Sequence, residues 1–165
     1  MEEQTTEQRY ALFSCYDKTG LQDFALTLHE LGYKIISTGG TFQTVSNAFC
    51  ARGLGGTETD RSAIEVADLT GFPEILGGRV KTLHPLIHGA LLTDWSNPKH
   101  VEEARKHGIP HIDIVAVNLY PFWNVREDTN LDEAVELIDI GGVALFPCEP
   151  SEMGNPKKLP ATSSG

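Results

Sequence analysis

Two successive units of one layout open this chain, each an apolar run, a polar loop and an amphipathic stretch. In the first, Tyr10-Ala11-Leu12-Phe13-Ser14 suits a strand buried on both faces, because a parallel strand covered by helices has no solvent side for polar residues to mark. Cys15-Tyr16-Asp17-Lys18-Thr19-Gly20 reads as a polar turn, after which Leu21, Phe24, Ala25, Leu28 and Leu31 recur at helical spacing. Thr19 and Gln22 stand at capping-box separation, and Gly32 fits the stop. The second unit has Tyr33 to Ser37 as strand, Thr38-Gly39-Gly40-Thr41 as loop, and Phe42 to about Ala51 as helix. Strands joined by such crossovers run parallel, so both loops fall at the carboxyl ends of their strands, the edge where open α/β sheets bind ligands. The class is therefore α/β.

Two segments can hold an anion. The N–H groups of Gly39 and Gly40, the hydroxyls of Thr38 and Thr41 and the start of a helix make a phosphate cradle, although the same five-residue run in isolation is an ordinary strand-to-helix turn. Gly77-Gly78-Arg79-Val80-Lys81-Thr82-Leu83-His84-Pro85 combines a glycine pair, which allows positive φ and close approach, with a planar guanidinium and a mobile ammonium two residues apart. Read alone, it is equally a solvated basic turn.

Composition decides what those cations can serve. With 165 residues and a formal net charge of -10, the chain suits one globular domain whose bulk surface opposes nucleic acid and anionic membranes, so an anionic ligand must be met by a local basic pocket. Cys15, Cys50 and Cys148 are isolated and odd in number, which argues against a disulfide framework and for a reducing compartment. No long apolar span occurs, and a cytoplasmic location is expected.

Further along, Arg52 to Ser62 reads as a surface loop, Ile64 to Ala67 as a short strand and Thr70 to Glu74 as a turn. Leu86 to Leu92 is apolar, and Asn97-Pro98 starts a polar helix through His107. His84 and His88 share a helical face, but no third ligand for a metal is evident. Ile112 to Val117 is the strongest buried strand, delivering Asn118-Leu119-Tyr120-Pro121-Phe122 as a pocket wall at its carboxyl end. Thr129 to Ile138 reads as a helix ending at Asp139-Ile140-Gly141-Gly142, and from about Pro147 the proline-rich composition predicts disorder.

Seven runs in this order resemble the cyclohydrolase domain of the bifunctional purine-biosynthesis enzyme that joins AICAR transformylase to IMP cyclohydrolase. They are Asp17-Lys18-Thr19-Gly20, Ser37-Thr38-Gly39-Gly40-Thr41, Leu69-Thr70-Gly71-Phe72-Pro73-Glu74, Gly78 to Pro85, His88-Gly89, Val117 to Phe122 and Ile138-Asp139-Ile140-Gly141-Gly142. The resemblance implies a methylglyoxal-synthase-like three-layer fold with a mostly parallel central sheet, spanning residues 10–146 between a leader (1–9) and a divergent tail (147–165). It implies ring closure of 5-formamidoimidazole-4-carboxamide ribonucleotide to IMP with loss of water, without metal or organic cofactor. Lys18, Thr38, Gly39, Gly40, Thr41 and Arg79 would hold the phosphate, with Lys81 and Thr82 facing the reacting ring. Asn118 and Tyr120 would orient the base, Asp139 would serve the carboxamide nitrogen, and Ile140, Gly141 and Gly142 would lie by the developing oxyanion. The implied partners are the purine ribonucleotide and a second copy or the full-length enzyme.

Three departures from the family pattern stand out. The run after Gly142 normally continues as a helix ending in a Lys-Asn pair whose lysine stabilises the oxyanion; here Val143-Ala144-Leu145-Phe146-Pro147-Cys148 leads into prolines, and losing one such donor costs roughly a hundredfold in turnover. The transformylase domain expected to follow is absent from this sequence, and the abrupt change points to an alternative or shifted reading of a longer gene. Tyr16 stands where a small hydroxyl residue is usual, and the stretch 52–62 looks long. Two other readings compete. Methylglyoxal synthase shares the fold but wants its catalytic aspartate in a different loop setting. A non-catalytic phospho-ligand module, like the terminal domain of carbamoyl-phosphate synthetase, or an inactive fragment, would explain the missing lysine.

Overall fold

The computed structural model describes residues 8–55, 61–78, 80–119 and 140–145. Four strands, β1 (Arg9–Cys15), β2 (Lys34–Ser37), β3 (Ala63–Glu65) and β4 (His111–Asn118), form one sheet of order β3-β2-β1-β4 in which every neighbouring pair is parallel. Its helices are α1 (Leu21–Glu30), α2 (Gly39–Ala51), α3 (Val66–Thr70), α4 (Pro85–Leu92), α5 (Pro98–Lys106) and α6 (Ile140–Leu145).

Period-2 alternation along the two central strands sorts their apolar residues into two cores. Ala11, Phe13 and Ile35 pack with Leu21, Ala25 and Leu28 of α1 and with Val45 and Phe49 of α2. Leu12, Ile36 and Ile112 pack on the other face with Val66, Ile87, Ala90, Leu91 and Leu145. Helices on both faces explain why β1 and β2 lack a polar stripe, and they give the expected three layers. The register sets Phe13 beside Ser37, Ser37 beside Glu65, and Cys15 beside Asn118, so the carboxyl ends of all four strands finish along one edge.

Gly32, at φ 88, closes α1: its N–H donates to His29 O and the Tyr33 N–H to Leu28 O, the paired bonds of a Schellman stop. At the other end no capping box forms. Gly20 occupies the N-cap in the left-handed region, while the Thr19 N–H and hydroxyl both donate to Asp17 Oδ1, so a local Asx-type turn takes the group expected to cap. Thr38 alone is outside α2; Gly39, Gly40 and Thr41, expected as loop, already form its first turn. Strand β3 stops at Glu65, two residues short of the expected run, because Val66 begins α3. The apolar stretch before Thr93 is a helix, α4, started by Pro85 and by a His84 Nδ1 that accepts the Leu86 N–H. Asn97 caps α5 as expected, accepting the Lys99 N–H.

At the opposite edge, Arg9 opens β1, within the stretch expected as leader, and its Nε donates to Asp113 while its guanidinium lies 4.8 Å over the Tyr33 ring. Asp113 also meets His111 Nε2 at 2.9 Å, and the His111 ring stacks on Trp95. The expected helix at 129–138 and the tail from residue 147 lie outside the described residues.

Candidate functional site

The carboxyl edge of the sheet gathers the groups singled out from sequence. Thr41, in the first turn of α2, is buried and bonded twice to the end of β1: its Oγ1 accepts the Cys15 N–H at 3.2 Å and donates to Cys15 O at 2.9 Å. Asn118, ending β4, clamps the next residues: its Oδ1 accepts the Asp17 N–H at 2.9 Å and its Nδ2 donates to Asp17 O at 2.8 Å. The loop bearing Lys18 is therefore tied to both neighbouring elements. Lys18 Nζ donates to Tyr16 O at 2.9 Å, and a Cβ built on Gly40 would sit 3.6 Å from Lys18 Cε and 3.9 Å from Nζ. The ammonium thus lies over the start of α2, where the helix carries partial positive charge; there the Thr41 and Phe42 N–H groups both donate to Thr38 O and the Gly39 N–H to the Glu65 carboxyl.

A tight turn brings the second cation. Ile75 and Val80 form an antiparallel bridge, with the Ile75 N–H donating to Val80 O and the Gly78 N–H to Ile75 O. Leu76, Gly77 and Gly78 make the reversal at φ 56, 67 and 83, a conformation natural to the glycines and strained for Leu76. The residues just outside the bridge, Glu74 and Lys81, therefore come side by side. A Cβ on Gly39 would meet Glu74 Oε1 at 3.5 Å and Lys81 Nζ at 3.7 Å, and one on Gly78 would meet Glu74 Oε2 at 3.4 Å and Lys81 Nζ at 3.6 Å. Next in sequence, Thr82 is 1% exposed and its Oγ1 has no hydrogen-bond partner, as is true of Ser37 Oγ at the end of β2. Buried hydroxyls are ordinarily satisfied, so two without partners beside this edge are groups a ligand could satisfy.

Acidic groups border the same space. Burial, then the nearby charges of Glu74 and Asp68, hold the Glu65 carboxyl above its ordinary range, with the Gly39 N–H pulling the other way. Asp17 is shifted down by its two bonds from Thr19, and burial pushes the Cys15 thiol up, which keeps it protonated. Lys18, Thr38, Gly39, Gly40, Thr41 and Lys81 thus converge on the start of α2, with Thr82 next in chain to Lys81 and Asn118 behind the Lys18 loop. Ile140, Gly141 and Gly142 form the first turn of α6, packed toward β4 on the other face of the sheet. Arg79, Tyr120 and Asp139 lie outside the described residues.

Residues 20–144 match the family model described as the MGS-like domain. The chain belongs to that family. Among relatives of this MGS-like domain, the bifunctional purine biosynthesis protein PurH of Persephonella marina (strain DSM 14350 / EX-H1) is 49% identical over 138 residues, covering 83% of this chain and 25% of that protein. PurH of Neisseria meningitidis serogroup A / serotype 4A (strain DSM 15465 / Z2491) is 50% identical over 134 residues, 80% of this chain and 23% of that protein. The chain thus spans about a quarter of the length of the curated relatives it matches. A crystal structure of ForH superposes with a TM-score of 0.64 at 29% identity, covering 87% of this chain and 68% of that one. Among the described residues, no helix of this MGS-like domain is long and apolar enough to cross a membrane.

Glu65, Glu74 and Ser37 were not among the residues expected at the site. Ser37 had a signal, as the last residue of an expected strand beside the Thr38 loop; Glu65 and Glu74 had none, because the end of β3 at Glu65 and the Ile75–Val80 bridge appear only in the structure.

Proposed function

We propose that this MGS-like domain binds a purine ribonucleoside monophosphate and closes the ring of 5-formamidoimidazole-4-carboxamide ribonucleotide to IMP in purine biosynthesis. The observation that carries this reading is the convergence of Lys18 and Lys81 on the first turn of α2, in a chain about half identical to PurH proteins. In the reaction the carboxamide nitrogen attacks the formyl carbon, a proton leaves that nitrogen, the formyl oxygen becomes a hydroxyl, and water departs to leave the aromatic ring. The site's part is to hold reactants in attack geometry and supply charge where the oxygen turns negative.

The phosphate would take Lys18, Arg79, the Thr38 hydroxyl and the N–H groups of Gly39 and Gly40, the Gly39 N–H exchanging its bond to Glu65, while Thr41, whose one hydroxyl hydrogen already goes to Cys15 O, would hold the cradle in place. Lys81 and the buried Thr82 hydroxyl would face the heterocycle. Asn118 keeps one acceptor lone pair and one N–H beyond its bonds to Asp17, enough to orient the base with Tyr120. Asp139 would accept the carboxamide proton, with Ile140, Gly141 and Gly142 beside the oxyanion.

Ultraviolet-monitored ring closure tests this, comparing the chain with Lys81→Ala. The variant should turn over at least about a hundredfold more slowly, and equal rates would remove Lys81 from the mechanism. The run Val143-Ala144-Leu145-Phe146-Pro147, without the family's lysine, favours a second reading, a phospho-ligand module. IMP binding without turnover in the same assay selects it.

A further inference from the structure

Strand β4 has the sequence of an interior strand and, in the described sheet, the position of an edge strand. The run Ile112-Asp113-Ile114-Val115-Ala116-Val117 is apolar but for one residue, yet only Ile112 is fully buried, and β4 ends the order β3-β2-β1-β4. Asp113 falls where the register with β1 shifts and is bonded to Arg9 and His111, which leaves Ile114 to Asn118 as a regular, uncharged edge. Ala116 O accepts from the Cys15 thiol and Asn118 O from the Tyr16 N–H, so both carbonyls turn toward β1. Main-chain groups alternate in direction along a strand. The N–H and C=O of Val115 and Val117 therefore turn outward, where no strand among the described residues pairs with them. The devices that ordinarily block an edge, a proline, a lysine or an inward charge, are missing from this stretch. Beside it, α6 packs on β4 and buries Gly141, Gly142 and Leu145, while Ile140 and Val143, three apart along the helix, are 63% and 54% exposed.

We propose that β4 is an interface for a second copy of this chain, paired antiparallel across a two-fold axis at Ala116. In that register Val115 lies opposite Val117 of the second copy, and each such pair exchanges both of its N–H···O=C bonds. The outward groups of one copy are thus satisfied by the same groups of the other, which makes the edge self-complementary. The axis falls on a pair that exchanges no bonds, where side chains come closest, and the residue there is alanine. Because this axis stands perpendicular to the sheet, the layer that holds α6 meets its own copy, and Ile140 and Val143 are covered there. Specific interfaces begin at roughly 1,200 Å² of buried surface, and the apolar side of α6 extends the contact beyond backbone pairing alone. Assembly stops at two copies, since the far edges of the joined sheet are both β3, three residues long and ending in Glu65. The contact does not depend on the ligand reading of the start of α2.

Sedimentation equilibrium and hydrogen exchange on the full chain test the proposal. The unmodified chain should form dimers whose population rises with concentration and with added salt, which screens the repulsion between two copies of net charge -10. The amides of Val115 and Val117 should exchange at least about tenfold more slowly in the dimer than in the dilute monomer. Val115→Pro removes an outward donor without breaking a bond to β1, and it should abolish the dimer while the far-ultraviolet circular dichroism is kept. Val143→Lys sets like charges across the axis and should weaken association about tenfold, although it brings the net charge nearer zero. That second variant, at an exposed position, decides the matter if the proline disturbs folding. A chain that stays monomeric at every concentration overturns the assignment to a second copy, and open-ended polymers overturn the closed two-fold. A dimer that survives both variants, or that forms without slowing exchange at Val115 and Val117, overturns the pairing at β4.

Discussion

Thr41 shows how one hydroxyl can hold a site together. It satisfies both the N–H and the C=O of Cys15 from the first turn of α2, so β1, its loop and the anion cradle move as one unit. Thr41→Val keeps the shape and leaves two buried backbone groups unpaired, and it should lower stability by about 1–3 kcal/mol in urea denaturation. Glu65 makes a prediction about pH. Its folded pKa is raised, so the folded state binds its proton more tightly than the unfolded chain, and the stability from this group is present at low pH and lost as pH rises through the folded pKa. Glu65→Gln removes the loss: it should raise Tm at pH 7, and the gain should vanish below about pH 4, where the carboxyl is protonated in both states. A gain that persists in acid would place the effect in packing instead.

At the scale of elements, the turn between Ile75 and Val80 shows how geometry is imposed on side chains that sequence leaves far apart. Its bridge sets Glu74 beside Lys81, and the left-handed conformation of Leu76 is part of that reversal. Leu76 is 69% exposed and has little packing to lose. Leu76→Gly should therefore stabilise the chain by up to about 1 kcal/mol, read as a higher urea midpoint, because the αL cost of a β-carbon outweighs the flexibility glycine adds to the unfolded state. The N-cap of α1 is Gly20 and not the expected Thr19 for a comparable local reason. Asp17 competes for the Thr19 hydroxyl, and a two-residue turn closes more readily than a cap three residues away.

For the molecule as a whole, the two cores on either face of the sheet decide what is integral. Leu145 is 1% exposed and sits in the core with Ile87, Ala90, Leu91 and Ile112, so α6 belongs to the folded body even though the sequence just after it loses all helical pattern. Leu145→Ala should cost about 2–5 kcal/mol, measurable by thermal or urea unfolding. A cost below 1 kcal/mol would mean that the second layer is complete without α6. The net charge of -10 makes the cluster of Lys18 and Lys81 a local exception on an acidic body, which is why their placement, and not their number, carries the functional reading.

Apolar runs with no polar stripe were enough to identify β1, β2 and β4 as parallel strands, and with them the edge where Lys18, Gly39, Gly40 and Asn118 would lie; but β4, expected as the most buried, stands at one side of the described sheet and is buried only at Ile112. Hydrophobic period and turn chemistry are local properties, written in neighbouring residues. What the chain alone left open was which partners share space across that edge. That Asn118 clamps Asp17, that Glu74 stands with Lys81 over Gly39, and that Thr82 and Ser37 are buried without partners are consequences of strand register and of one hairpin's reversal. They depend on residues distant in sequence arriving together, and no local pattern encodes such distances.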